Sequence, residues 1–106
     1  MKMYKFKFYD EVYNLIFTAT TYKSNGTLAV QAMTEDGEPF ATITVNILAS
    51  DLCQPNCQYV DVNNVPGIAD FLEKNKLAHP TGRMGCSGFC TYPEYEFDLN
   101  AIPLEL

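Results

Sequence analysis

The chain has 106 residues, thirteen acidic and seven basic, for a net charge of −6. That length predicts a single domain over residues 1–106 with one core. The acidic balance argues against nucleic acid or an anionic membrane as a partner, since both are held by clustered cations.

Hydrophobic residues make up 47% of the chain, and seven Tyr and seven Phe without Trp suit a pleated sheet. The start Met1-Lys2-Met3-Tyr4-Lys5 lacks the uninterrupted apolar stretch and small-residue cleavage site of a secretory signal. No run reaches membrane-spanning length. The expected compartment is the cytoplasm, where the four cysteines stay reduced.

The first half reads as an antiparallel meander of four strands. Lys2–Phe8 puts Tyr4, Phe6 and Phe8 on one face and Lys5 and Lys7 on the other, the period of a strand with one wet side. Asp10-Glu11 breaks it. Tyr13–Tyr22 carries Leu15, Phe17 and Ala19 on one face against Ile16, Thr18 and Thr20, which predicts a more central strand. Ser24-Asn25-Gly26 supplies residues that tolerate positive φ, as hairpin turns require. Thr27–Thr34 follows, with Leu28, Val30 and Ala32 facing inward. After the turn Glu35–Pro39, the strand Phe40–Leu48 must start past Pro39, which cannot donate a ladder bond. Its inward set is predicted to be Ala41, Ile43, Val45 and Ile47, with Phe40, Thr42 and Thr44 opposite.

The second half is less regular. Ala49–Gln58 reads as a loop, and Tyr59–Val62 as a fifth short strand. Asn64-Val65-Pro66 signals a helix start, and Ile68, Phe71 and Leu72 share one helical face, which predicts a helix over Asn64–Lys76. His79–Gly88, with its glycines and Pro80, reads as a loop. Phe89–Leu99 returns to strand character, with Pro93 marking an edge or a bulge, and Asn100–Leu106 is expected to be irregular.

Several groupings bear on chemistry. Cys53, Cys57, Cys86 and Cys90 form two C-x3-C steps that could bind zinc tetrahedrally, although C-x2-C is the commoner structural spacing. His79 and Cys86 lie near each other in sequence but lack a third, orienting group for nucleophilic catalysis. Glu94, Glu96 and Asp98 alternate on one strand face, and three like charges there are expected to be solvated. Thr81, Gly82, Arg83, Ser87 and Gly88 form the most distinctive polar segment. It reads either as an anion or partner contact, or as a structural loop whose arginine, the only one in the chain, pairs with a nearby acid. No Walker lysine follows these glycines, which excludes a nucleotide P-loop.

The run Asp36-Gly37-Glu38-Pro39-Phe40-Ala41, then Asn64-Val65-Pro66-Gly67, then Pro80-Thr81-Gly82-Arg83 with Ser87-Gly88-Phe89, resembles a family of small bacterial proteins of unknown function. That family is found in gut Bacteroidetes and Firmicutes and on phage-like or conjugative elements. The resemblance spans most of the chain, and the cysteines are not part of its core pattern. It implies a bacterial intracellular setting and mobile-element genetics, and no activity.

The expected fold is α+β: a mainly antiparallel sheet of five or six strands with one helix across one face. Its core is predicted to be Phe6, Phe17, Leu28, Val30, Ile43, Val45, Ile68, Phe71 and Leu72. The expected function is that of a non-enzymatic interaction protein without a cofactor. It would bind a protein partner through the sheet face that the helix leaves open, or through Thr81, Gly82, Arg83, Ser87 and Gly88. Alternatives are a zinc module through the four cysteines, and a small-molecule or anion site with a cleft beside Arg83. The edge Lys2–Phe8 could pair across a two-fold axis, but nothing in the sequence requires an oligomer.

Overall fold

The computed structural model describes residues 2–47, 52 and 54–105. Among these, the chain runs β1 (Tyr4–Phe8), β2 (Glu11–Thr21), β3 (Leu28–Thr34), β4 (Pro39–Thr42), β5 (Thr44–Val45) and β6 (Cys57–Val60). It ends with α1 (Ile68–Lys74), β7 (Ala78–Ser87) and β8 (Cys90–Phe97). The strands form two four-stranded antiparallel sheets, ordered β1-β2-β3-β4 and β5-β6-β8-β7. The expectation of one sheet of five or six strands is therefore corrected to two. No helix among the described residues is long and apolar enough to cross a membrane.

The meander is present, and its alternation sets the core. Tyr4 lies opposite Leu15, Phe17 opposite Ala32, and Ala19 opposite Val30. Directly opposed residues share a face, so these side chains line the inner surface of the first sheet, while Lys5 and Lys7 are exposed. β2, the strand with apolar character on both faces, lies between β1 and β3.

The predicted strand Phe40–Leu48 is split, and this split makes two sheets out of one. Ile43 donates its N–H to Val30 O at 2.9 Å, while its own carbonyl accepts from Asp61 N–H at 2.9 Å. One residue thus touches both sheets. The next ladder position on β3 is closed by a side chain: Val30 N–H donates to Thr44 Oγ1 at 3.2 Å. The Tyr22 hydroxyl also meets Thr44 Oγ1, at 2.9 Å. Thr44, expected to face outward, is buried because its hydroxyl is satisfied there.

Phe40 is displaced from its expected face for another reason. Ala41 pairs with Ala32 but Pro39 pairs with Met33, so Phe40 is the extra residue of a bulge. Its ring joins those of Phe6, Phe8 and Tyr13 at 6.3, 5.4 and 4.9 Å. Leu48, the last residue of the predicted strand, lies outside the described residues.

The helix is shorter than Asn64–Lys76. Asp61 holds the preceding turn: its carbonyl accepts from Val65 N–H, and its carboxylate from Asn64 N–H and Nδ2. Gly67, with φ of 85°, then caps the helix, so the left-handed step comes after Pro66. Phe71 packs against Tyr4, Phe6 and Phe17 of the first sheet. Glu73 Oε2 accepts the Tyr95 hydroxyl of the second sheet at 2.6 Å. The helix therefore bridges both sheets over one shared core, rather than lying across a single face.

All the predicted core residues are buried except Val45, which is partly buried in a second, smaller cluster with Ile47, Tyr59, Tyr92 and Leu52. The C-terminal segment is not wholly irregular. Ile102 is buried. Ala19 accepts from Glu105 N–H at 2.7 Å and donates to Pro103 O at 3.3 Å, so the tail extends the open edge of β2 beyond β1.

Candidate functional site: the β7–β8 hairpin

The segment read as a loop, His79–Gly88, lies in the edge strand β7 and its turn. An edge tolerates proline because the missing N–H faces outward, and here the strand also carries a large bulge. Pro80 pairs with Tyr95 and Met84 with Pro93, so Thr81, Gly82 and Arg83 all stand opposite the single residue Glu94. Gly82 takes φ of 90°, and Arg83 N–H donates to Thr81 Oγ1 at 3.3 Å, which closes the bulge on itself.

The bulge folds over the Glu94 carboxylate. The Thr81 hydroxyl donates to Glu94 Oε1 at 2.6 Å, and Arg83 Nη1 lies 3.7 Å from Oε2. The Glu94 side chain is fully buried, while the Arg83 side chain is 44% exposed. This corrects the reading of three solvated acids on one face. Glu94 is roofed by the bulge, Glu96 is partly exposed with Oε1 3.9 Å from His79 Nε2, and Asp98 is exposed beyond the strand end.

The rest of the hairpin divides into a buried base and a bare tip. Gly85 faces Tyr92 across the ladder and lies against the Tyr59 ring. Both tyrosines are buried, so the outer face of the second sheet is closed there rather than open for contact. Burial first, and then the Cys90 thiol, push the Tyr92 phenol above its ordinary value. At the tip, Ser87 pairs with Cys90 around Gly88-Phe89, and Gly88 has φ of 61°, the pattern of a two-residue type II′ turn. Phe89 is fully exposed, Cys90 beside it and Cys86 near the tip are exposed, and Met84, also exposed, lies three ladder pairs back from the last pair.

The four cysteines do not come together as a zinc site. Cys57 pairs opposite Glu96, six positions along β8 from Cys90, or about 20 Å at ~3.3 Å per residue. Cys57 is buried, and Cys53 lies outside the described residues. Among the described residues, no three His, Cys, Asp or Glu side chains group as metal ligands. Cys86 pairs with Thr91 and Cys90 with Ser87, so the two thiols point to opposite faces. His79 faces Glu96 rather than Cys86, so no nucleophile–base pair forms.

One grouping was not singled out in the sequence. Glu73, Lys76, His79, Glu96 and Asp98 line a cavity of about 710 Å³ between the end of α1 and the start of β7. Two smaller cavities lie elsewhere, at Gln31–Met33 with Pro39–Thr42, and around Gly26 and Pro55. None of the three is lined by Arg83. No sequence signal marks the larger one, because its lining comes from Asn56, the end of α1, the start of β7 and the end of β8, which only the fold brings together.

Fold and site together define a small, mostly antiparallel β protein of two four-stranded sheets and one short helix. A family model described as "Domain of unknown function (DUF4313)" matches residues 17–103, and the chain belongs to that family. The match includes β3 through β8, with all the motif segments that carried the resemblance. No curated protein and no solved structure matches the chain.

Proposed function

We propose that this chain is a non-enzymatic interaction module that offers the β7–β8 hairpin to a protein partner. The observation that carries the reading is Phe89: an aromatic ring wholly in solvent at the tip of a tight turn. Burial of such a ring in a partner's apolar pocket is the usual source of binding energy at an interface centre. Thr81 and Gly82 shape the base of the hairpin, Gly88 makes the turn, and Arg83 and Ser87 form its polar rim.

The rigid base supports the same reading, because an anchor on an ordered hairpin costs less entropy to bind than one on a loose loop. The net charge of −6 favours a protein over a nucleic acid. A bacterial intracellular setting and a mobile-element origin accord with such an accessory role, and rest on the resemblance alone.

The test compares wild type with Phe89→Ser as bait in extract of the source cells, with stability checked by thermal melting. Phe89 makes no core contact, so the melting temperature should not move. A partner retained by wild type and lost by the variant supports the proposal. Identical recoveries from both, or none from either, overturn it.

A further inference from the structure

We propose that Asn25 is a latent site of self-modification: an Asn–Gly step that the β2–β3 turn holds shut and that, once reacted, no longer lets the turn close. This goes beyond the hairpin reading and does not depend on it. Asn25 is followed by Gly26, and both are exposed to water. A glycine in that position presents no side chain to hinder attack on the asparagine. The Gly26 nitrogen gives up its proton and bonds to Asn25 Cγ, the Cγ–Nδ2 bond breaks, and ammonia leaves with that proton by way of solvent. Water then opens the cyclic imide to aspartate or isoaspartate. Water is the only co-reactant.

The folded turn restrains every group in that step. Gly26 N–H, the proton that must leave, donates to Tyr22 O at 2.8 Å, and Tyr22 N–H donates to Thr27 O at 2.8 Å to close the turn. The Asn25 carboxamide is held at both ends. Its Oδ1 accepts from Thr27 N–H at 3.3 Å and from the Thr27 hydroxyl at 2.9 Å, and its Nδ2 donates to Asn46 Oδ1 at 3.0 Å. Attack therefore waits on local opening, and the observed rate is that of the open turn multiplied by the fraction open.

The products do not fit the closed turn. Isoaspartate routes the main chain through the side-chain carbon and adds one backbone atom between residues 25 and 26, which moves Gly26 N–H off Tyr22 O. Either product also replaces the Nδ2 donor to Asn46 with a carboxylate. The Thr27 hydroxyl beside it accepts from Gln58 Nε2 of β6 at 3.2 Å, so the reacted turn lies next to a link between the two sheets.

The experiment incubates the full chain in mildly alkaline buffer, folded and in urea, and follows aspartate plus isoaspartate at residue 25 by peptide mapping. The folded chain should react at least about tenfold more slowly than the chain in urea. Asn46→Ala frees Asn25 Nδ2 and should speed the folded reaction about fivefold, the worth of one hydrogen bond, while leaving the rate in urea unchanged. Thermal melting checks that this variant folds, and the comparison of folded chain with urea needs no variant. The isoaspartate chain, made in urea and refolded, should exchange the Gly26 amide proton faster than the unreacted chain. No reaction at Asn25 in urea, equal rates folded and unfolded, indifference of the folded rate to Asn46→Ala, or unchanged exchange at Gly26 each overturns the proposal.

Discussion

Arg83 and Glu94 form an ion pair whose two ends live in different media: the carboxylate is sealed inside the second sheet while the guanidinium is half in water. The three-residue bulge makes this possible, since it carries Arg83 back over the residue it bypasses. A buried carboxylate deprived of its cation keeps neutral donors such as the Thr81 hydroxyl, which offset only part of its desolvation. Breaking a fully buried pair costs about 3–5 kcal/mol, and the exposure of Arg83 scales this down to about 1–2 kcal/mol.

Arg83→Met should therefore lower unfolding free energy in urea by about 1–2 kcal/mol. Glu94→Gln keeps an acceptor for the Thr81 hydroxyl and removes the buried charge, so it should cost less than about 1 kcal/mol. In the double variant the Arg83 penalty should largely vanish, so the pair of changes should cost less than the sum of the two single ones. An Arg83→Met chain as stable as wild type would show that the pair contributes nothing.

How much of this could be read from the chain depends on how local each cause is. Tyr4, Phe6 and Phe8 alternate with Lys5 and Lys7, and that pattern alone places β1 and its inner face. Leu15, Phe17 and Ala19 do the same for β2. The break between β4 and β5 is invisible in sequence because alternation continues through Ile43, and the break is caused by Thr44 reaching Val30 across the sheet. The strand β7 was read as a loop because Pro80, Gly82 and Gly85 are poor strand formers, and pairing with β8 overrides that preference at an edge. Burial of Glu94 follows from the same bulge. The sequence did allow the alternative that Arg83 pairs with an acid, and this is the arrangement found.

Gly85 makes a second, purely steric prediction. A Cβ there would fall 2.6 Å from Tyr59 Cε1 and 3.0 Å from Ile47 Cδ1, inside a buried cluster. Gly85→Ala must push the Tyr59 ring aside, at a cost of about 1–3 kcal/mol. Gly82 is the control: its Cβ would meet nothing within 4 Å, so the penalty of Gly82→Ala comes from φ of 90° alone, about 1 kcal/mol. Tyr59→Leu carries a cost of its own in this buried cluster, and that cost should be smaller in the Gly85→Ala background than in the Gly82→Ala background. Thermal melts of the four variants decide the matter, and equal response of both glycine variants to the Tyr59 change would refute the steric account.

Tyr95 gives the pH dependence. Its phenol is buried beside the Glu73 carboxylate, and burial first, then that hydrogen bond and charge, raise it far above the ordinary value of 10.0. Tyr22 is raised in the same direction, mainly by burial. In the unfolded chain these phenols lose their protons from about pH 10 upward, while the folded chain keeps them. The unfolded state then binds fewer protons than the native state, so stability falls as pH rises. The contribution is complete below pH 10 and is lost progressively above it. Tyr95→Phe removes one such group and also the bond to Glu73, so it should cost about 1 kcal/mol at neutral pH and flatten the decline between about pH 9.5 and 11. Melting temperatures of the two proteins across that window should converge as the pH climbs, and curves that stay parallel would show that Tyr95 titrates alike in both states.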